Sequence, residues 1–367
     1  MFRRAGGLPG AREAFFWIAE DLLDSGFSDR ERRFRPTPGP RTEEEARALL
    51  ERALAERGYR PEDAGAVLEA MFAEGFLRRE GTRGEAGSGL RLGPRGERAL
   101  GARYLDLLLR ARGRAYSAGR HPAGEPAPGP EPSGETRPYR PGEPLALDAV
   151  ETLKRLLPRG IEELEEGDLV QSLSEAGSAM ATALLLDCSH SMVLYEKDRF
   201  TPAKKVALAL NHLIRTHYPG DRLGVFCFGD RAEEVPPGKL ALLSVGPWHT
   251  NTAEALARAH RFLRRSPEPK KAAILITDGK PSALTLPDGS LYKNAWGLDE
   301  RIVAATLKEA ARLRRLPASL HVFMLADQPE LLAFVRRLVA AGRGRAVLAD
   351  PDDLGRRLLL DFTRLRG

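Results

Sequence analysis

Beyond Ala181 the chain alternates short apolar runs with stretches in which apolar residues recur every three or four positions. The runs Ala181–Leu186, Arg222–Phe228, Ala272–Thr277, Leu320–Leu325 and Ala346–Leu348 have the length and character of strands buried on both faces, as in a parallel sheet. Between and after them, Pro202–Tyr218, Ala253–Arg264, Leu298–Leu313, Glu330–Ala341 and Leu354–Leu365 carry the helical period. Ala232–Val235 reads as an edge strand. The alternation predicts an α/β domain with a doubly wound, mostly parallel central sheet. The segment Lys280–Gly297 is too long for a tight connection and leaves directly from Asp278. Its Tyr292 and Trp296 are expected either to face a partner or to cover the sheet edge.

The first part of the chain has a different rhythm. Phe15, Phe16, Ile18, Ala19, Leu22 and Leu23 mark an amphipathic helix within Ala11–Gly26. Thr42–Arg57 reads as a strong helix, with Thr42 as N-cap and Glu43, Glu44 and Glu45 in its first turn. Pro61–Glu74 gives a third helix. FLRRE and GLRLGPRGERAL then predict two short strands around a Gly-rich turn, followed by a helix through Ala99, Tyr104 and Leu108. Three helices and a hairpin resemble a winged-helix module. Acids mixed among the arginines favour docking of protein over DNA. Residues 112–144 are dense in Pro and Gly and nearly empty of aliphatics, so they read as a linker. The division expected is an N-terminal helical domain over 1–111, the linker over 112–144, and a second domain over 145–367 that opens with a helix at Leu145–Leu157. The two domains are expected to fold independently.

Composition narrows the function classes. At 367 residues, 42% hydrophobic and 29% charged, the chain has ample material for two cores. No apolar stretch approaches a membrane span, and the apolar start carries acids within it, which places the protein in the cytoplasm without a membrane partner. The net charge of +6 is modest, and no basic run is interleaved with aromatic residues, so nucleic acid is not expected as a partner. Cys188 and Cys227 are expected to be free buried thiols in such a compartment. Arginine is used to the exclusion of lysine before Lys154, and Asn, Gln, Cys and Met are scarce, which fits a heat-adapted or GC-rich source.

The candidate chemistry begins in ATALLLDCSHSM, where the buried run stops at Asp187 and hydroxyls follow at Ser189 and Ser191. Hard oxygen donors at the C-terminal edge of such a sheet suit Mg²⁺ or Mn²⁺. The same string also suits a turn whose Ser and Asp cap helix amides. AAILITDG repeats the pattern, a buried run ending at Asp278, and HTNTAEAL between them sets Thr250 just ahead of a helix. Together these strings resemble the metal-ion-dependent adhesion site (MIDAS) of von Willebrand factor type A (VWA) domains. By that resemblance Ser189, Ser191 and Thr250 touch the ion directly. Asp187 and Asp278 hold it through waters or hydrogen bonds, and one coordination position stays open for an Asp or Glu of a partner.

The phrases RPYRPGEPLALDAVETL, AKKVALALNHLIRTHYPGDRLGVFCFGD, TNTAEALARAHRFL and ILITDGKPSA are similar to those of bacterial VWA proteins paired with MoxR-type or magnesium-chelatase-like AAA+ ATPases. The resemblance implies an adaptor or co-chaperone rather than an enzyme, with the ATPase remodelling a client protein or inserting a metal into it. Those proteins carry glycine just before the threonine, where this chain has Trp248 and His249. The difference predicts a displaced loop or a weaker hold on the ion, with Thr252 as the nearest substitute and His249 either packed or reaching for the open position. Two other classes lack residues they require. A phosphatase using Asp187 with Mg²⁺ needs a second acid two residues on, where Ser189 stands, and a Ro-like RNA-binding protein needs a helical-repeat ring of which the first 110 or so residues show no sign.

Overall fold

The computed structural model describes residues 8–23, 27–28, 33–34, 42–80, 89–115, 136–138, 170–172, 179–194, 198–246, 248–294 and 296–366. Most of the expected linker and the helix expected at Leu145–Leu157 lie outside the described residues.

The N-terminal part contains α1 (Ala11–Trp17), α2 (Ala19–Leu22), the two-residue strands β1 (Phe27–Ser28) and β2 (Arg33–Phe34), α3 (Glu43–Glu56) and α4 (Ala64–Ala73). The hairpin β3 (Leu77–Glu80) and β4 (Gly89–Leu92) and the long helix α5 (Pro94–Ala115) follow. The sequence specifies the start of α3 twice over. The Glu45 N–H donates to Thr42 Oγ1 at 3.2 Å while the Thr42 N–H donates to Glu45 Oε2 at 3.0 Å, a reciprocal cap that satisfies two end donors. Phe15, Ile18, Leu50, Leu54, Met71 and Phe76 fill the core of this part.

A separate pair of strands, β5 (Thr136–Pro138) and β6 (Val170–Ser172), runs antiparallel. The main sheet uses β7 (Met180–Asp187), β8 (Arg222–Phe228), β9 (Ala232–Glu234), β10 (Lys270–Thr277), β13 (Ala318–Met324) and β14 (Arg345–Leu348). Its order is β14-β13-β10-β7-β8-β9, parallel throughout except for the edge strand β9. The small hairpin β11 (Ala283–Thr285) and β12 (Leu291–Lys293) stands outside it. The helices are α6 (Ser191–Leu194), α7 (Phe200–His217), α8 (Pro237–Leu240), α9 (Thr252–Arg265), α10 (Glu300–Leu313), α11 (Pro329–Gly342) and α12 (Leu354–Arg366). Every residue of β7 is buried, as its unbroken apolar run requires. On one face Ala183, Leu185, Leu275 and Val322 meet Leu256, Leu263, Val303, Phe334 and Leu338 from α9, α10 and α11. The other face takes α7.

One expectation is corrected. Cys188 and Cys227 are joined by a disulfide with Cα atoms 6.2 Å apart, because adjacent parallel strands bring together residues 39 positions apart. The N-terminal part groups with the residues from Ala179 through Leu360 in one compact unit. Helix α5 packs along α7 so closely that a Cβ on Gly101 would come within 2.5 Å of His212 Cβ. Glu97 lies 3.6 Å from Arg215, and the Thr201 hydroxyl donates to the Leu23 carbonyl at 3.4 Å.

Candidate metal site at the sheet switch point

The chain leaves β7 toward β8 on one side and returns, after β9 and α9, to β10 on the other. Connections therefore diverge from the C-terminal ends of β7 and β10 and open a crevice there, the position where open α/β sheets bind ligands. Asp187 closes β7 and Asp278 follows the last residue of β10, so the fold delivers both carboxylates to that crevice. Both are buried.

The two acids have different surroundings. Asp187 Oδ1 accepts the Ser189 N–H at 2.9 Å, and its Oδ2 accepts the Thr277 hydroxyl at 2.5 Å. The Ser189 and Ser191 hydroxyls lie 3.0 Å apart. Burial, with the charge of Asp278 adding to it, pushes the Asp187 carboxyl up to about 7. Burial also raises Asp278, against the opposing pull of a Ser191 hydrogen bond and the Arg199 charge. Asp278 Oδ1 is buried with no hydrogen-bond partner among the described residues, while its Oδ2 lies 3.7 Å from the Arg199 guanidinium.

Thr250 is brought to the same edge by its neighbours. The His190 N–H donates to the Trp248 carbonyl at 3.2 Å, lacing the threonine loop to the serine turn. The Thr250 N–H donates to Ser282 Oγ at 3.0 Å, and its carbonyl accepts the Ser282 and Ala283 N–H groups at 2.9 and 3.2 Å. Asn251 then caps α9 by accepting the Glu254 N–H at 3.1 Å, so the helix begins at Thr252 and Thr250 keeps its place in the loop.

The missing glycine is accommodated. Arg343 is the one non-glycine residue with positive φ among the described residues, so His249 occupies ordinary backbone. Its N–H donates to Asp230 Oδ1 at 2.9 Å and its ring approaches the same carboxylate at 3.5 Å, which makes it a packed residue and not one reaching for an ion. Glycine reappears beneath Trp248: a Cβ on Gly246 would lie 2.3 Å from the indole, and one on Gly229 2.7 Å from the Trp248 Cβ. Tyr292 and Trp296 part company. The Tyr292 hydroxyl donates to Asp299 at 2.9 Å, whereas Trp296 is 88% exposed.

Several contributors carried no signal in the sequence reading. Thr277 stands within the TDG string without a motif role, and Arg199 lies eight residues beyond Ser191 with nothing to mark it. Lys204, buried in α7, donates to the carbonyls of Ala241 and Leu243 at 3.3 and 2.9 Å and so holds the approach to the threonine loop.

The donor set fits a hard divalent ion. Two carboxylates, the paired hydroxyls of Ser189 and Ser191, and one carboxylate oxygen without a partner offer only oxygen. Among the described residues no three His, Cys, Asp or Glu side chains cluster, so neutral hydroxyls would have to complete the shell.

A doubly wound sheet with this polar edge defines a VWA-domain protein. The chain belongs to the Rv0959-like family, whose vWA domain matches residues 180–363. An uncharacterized protein of Mycobacterium tuberculosis is 31% identical over 308 residues, which is 81% of this chain and 44% of that protein. One of Mycobacterium bovis matches equally. The chain thus spans less than half the length of these relatives. Among solved structures, the vWF domain of the pili tip protein Mfa5 from Porphyromonas gingivalis aligns with TM-score 0.40 and 12% identity over 51% of this chain and 94% of its own. A von Willebrand factor type A protein from Catenulispora acidiphila gives 0.38 and 19% over 54% and 44%. At these TM-scores they carry no part of the assignment. No helix among the described residues is long and apolar enough to cross a membrane.

Proposed function

We propose that this chain is a metal-ion-dependent protein-interaction module that works as adaptor or co-chaperone to a MoxR-type AAA+ ATPase. Mg²⁺ or Mn²⁺ would be held by Asp187, Ser189, Ser191, Thr250 and Asp278. The observation that carries the reading is Asp278 Oδ1, a buried carboxylate oxygen with no hydrogen-bond partner among the described residues, at the switch point beside two facing hydroxyls. Leaving such an atom unmatched costs about 1–3 kcal/mol or more, a cost that bound metal would remove. When bound, the ion supplies an electrophilic position that an Asp or Glu of a client protein or of the ATPase can complete. The chain's part is to orient: Thr277 and the Ser189 amide fix Asp187, and Ser282 fixes the Thr250 loop. The catalytic step, remodelling of a client or metal insertion into it, would belong to the ATPase.

The test is a pull-down of a cognate MoxR-type ATPase with wild type, Asp278→Ala and Ser189→Ala, each with Mg²⁺ and with chelator. Substitution and chelation should weaken binding to the same extent without adding, since they delete one contact. Strong binding that ignores the metal would give the ion site to another ligand.

A further inference from the structure

A divalent ion is not the only cation the crevice accommodates. Arg199 stands immediately before α7 and reaches Asp278, with only 15% of its side chain exposed. Its backbone is fixed: the Arg199 N–H donates to the Met192 carbonyl at 3.0 Å, and next to it Asp198 Oδ1 accepts the Phe200 and Thr201 amides at 2.9 and 3.0 Å. The guanidinium nitrogen nearest Asp278 lies at 3.7 Å, within ion-pair range and beyond a hydrogen bond. The attraction is Coulombic, and Asp278 Oδ1 remains uncommitted. In a buried crevice holding two acids, the Arg199 charge at this distance, with the weaker pull of Lys280, compensates only part of the negative charge.

We infer that Arg199 is an internal counter-ion that competes with the divalent ion for Asp278, so that the site alternates between an arginine-compensated and a metal-compensated state. This rests on the metal reading above and adds its regulation. With the ion absent, Arg199 stabilises the buried acids. With the ion bound, two cations share one carboxylate, and Arg199 lowers the affinity. The guanidinium is carried on a long stem from a pinned backbone, so its charge can shift relative to Asp278 while the start of α7 stays in place.

The experiment measures Mn²⁺ affinity by calorimetry and melting temperature with and without Mn²⁺ for wild type, Arg199→Gln, Arg199→Met and Arg199→Lys. Removing the charge should tighten Mn²⁺ binding at least tenfold, lower the metal-free melting temperature, and enlarge the shift produced by Mn²⁺. Arg199→Lys, which keeps the charge, should bind within about threefold of wild type. A metal-binding wild type whose neutral variants bind equally or more weakly would overturn the inference and make Arg199 a support of the ligands. Should both neutral variants fail to fold, the wild-type Arg199 Nε–H signal, assigned against Arg199→Lys, decides: it should shift and lose exchange protection on addition of Mg²⁺, and an unmoved signal sinks the idea. If wild type takes up no Mn²⁺ at millimolar concentration, the metal reading itself fails and takes this inference with it.

Discussion

The Thr277 hydroxyl donates to Asp187 Oδ2 at 2.5 Å, joining the ends of β10 and β7 by a side-chain bond at the point where their backbone pairing stops. This bond sets the direction in which Asp187 presents its carboxylate. Thr277→Val keeps the shape and removes the donor, leaving a buried oxygen unmatched at a cost of about 1–3 kcal/mol. Loss of an orienting partner typically weakens a metal site about 10–100-fold. Thermal melts and Mn²⁺ calorimetry check both figures, and an unchanged affinity would mean that Asp187 needs no such steering.

Asp187 itself makes stability depend on pH. Its carboxyl is held up at about 7, against about 4 in an unfolded chain. Between those values the unfolded chain has released its proton and the folded one still holds it. The stabilisation is therefore present at low pH, is lost as pH rises through this window, and is level above it. In chelator, Asp187→Asn should be more stable than wild type at pH 8 by a few kcal/mol, with the advantage shrinking toward pH 4. It should also no longer bind Mn²⁺. Urea melts at pH 5 and pH 8 measure the difference, and equal curves for the two proteins would refute it.

His321 acts in the opposite direction. Burial, helped by Arg345 on the neighbouring strand, lowers its pKa to about 4, and its Nε2 lies 3.0 Å from Ser319 Oγ. An unfolded histidine titrates near 6.5. Its contribution is complete above that value and is lost as pH falls toward 4, by up to about 3 kcal/mol. His321→Gln should flatten this acid limb in melts between pH 7 and pH 4. A variant as acid-sensitive as wild type would place the sensitivity elsewhere.

Gly101 tests the packing of α5 on α7. In a free helix Gly→Ala stabilises by about 1 kcal/mol. Here the added Cβ would meet His212 Cβ at 2.5 Å and the Leu208 carbonyl at 3.0 Å, neither of which is the end of a flexible side chain. Overpacking of this kind costs about 1–3 kcal/mol and should win. Gly101→Ala is expected to lower the melting temperature and Gly101→Val to lower it further. A gain in stability would show the helices free to separate.

The sheet was legible because β7, β8, β10 and β13 are apolar runs with abrupt polar ends, and the abruptness of Asp187 and Asp278 also disclosed the site. What was hidden depends on contacts between distant residues. Arg199 follows no motif, and its meaning comes from a neighbour 79 positions away that only the crossing to β10 supplies. The disulfide was not legible because it depends on β7 and β8 lying side by side, which cysteine count and compartment do not reveal. The contact of α5 with α7 was hidden because Gly101 and the facing residues of α7 look ordinary one at a time.

The contact between α5 and α7 gives the N-terminal part a hold on the sheet domain that does not depend on a covalent connection. A covalent connection between parts that already bind chiefly raises effective concentration. Cut or expressed as two pieces, the halves should find each other and elute as one species, and Gly101→Val should convert that stoichiometric pair into two separate peaks. By this account the N-terminal module behaves as a resident subunit that happens to share a gene with its partner.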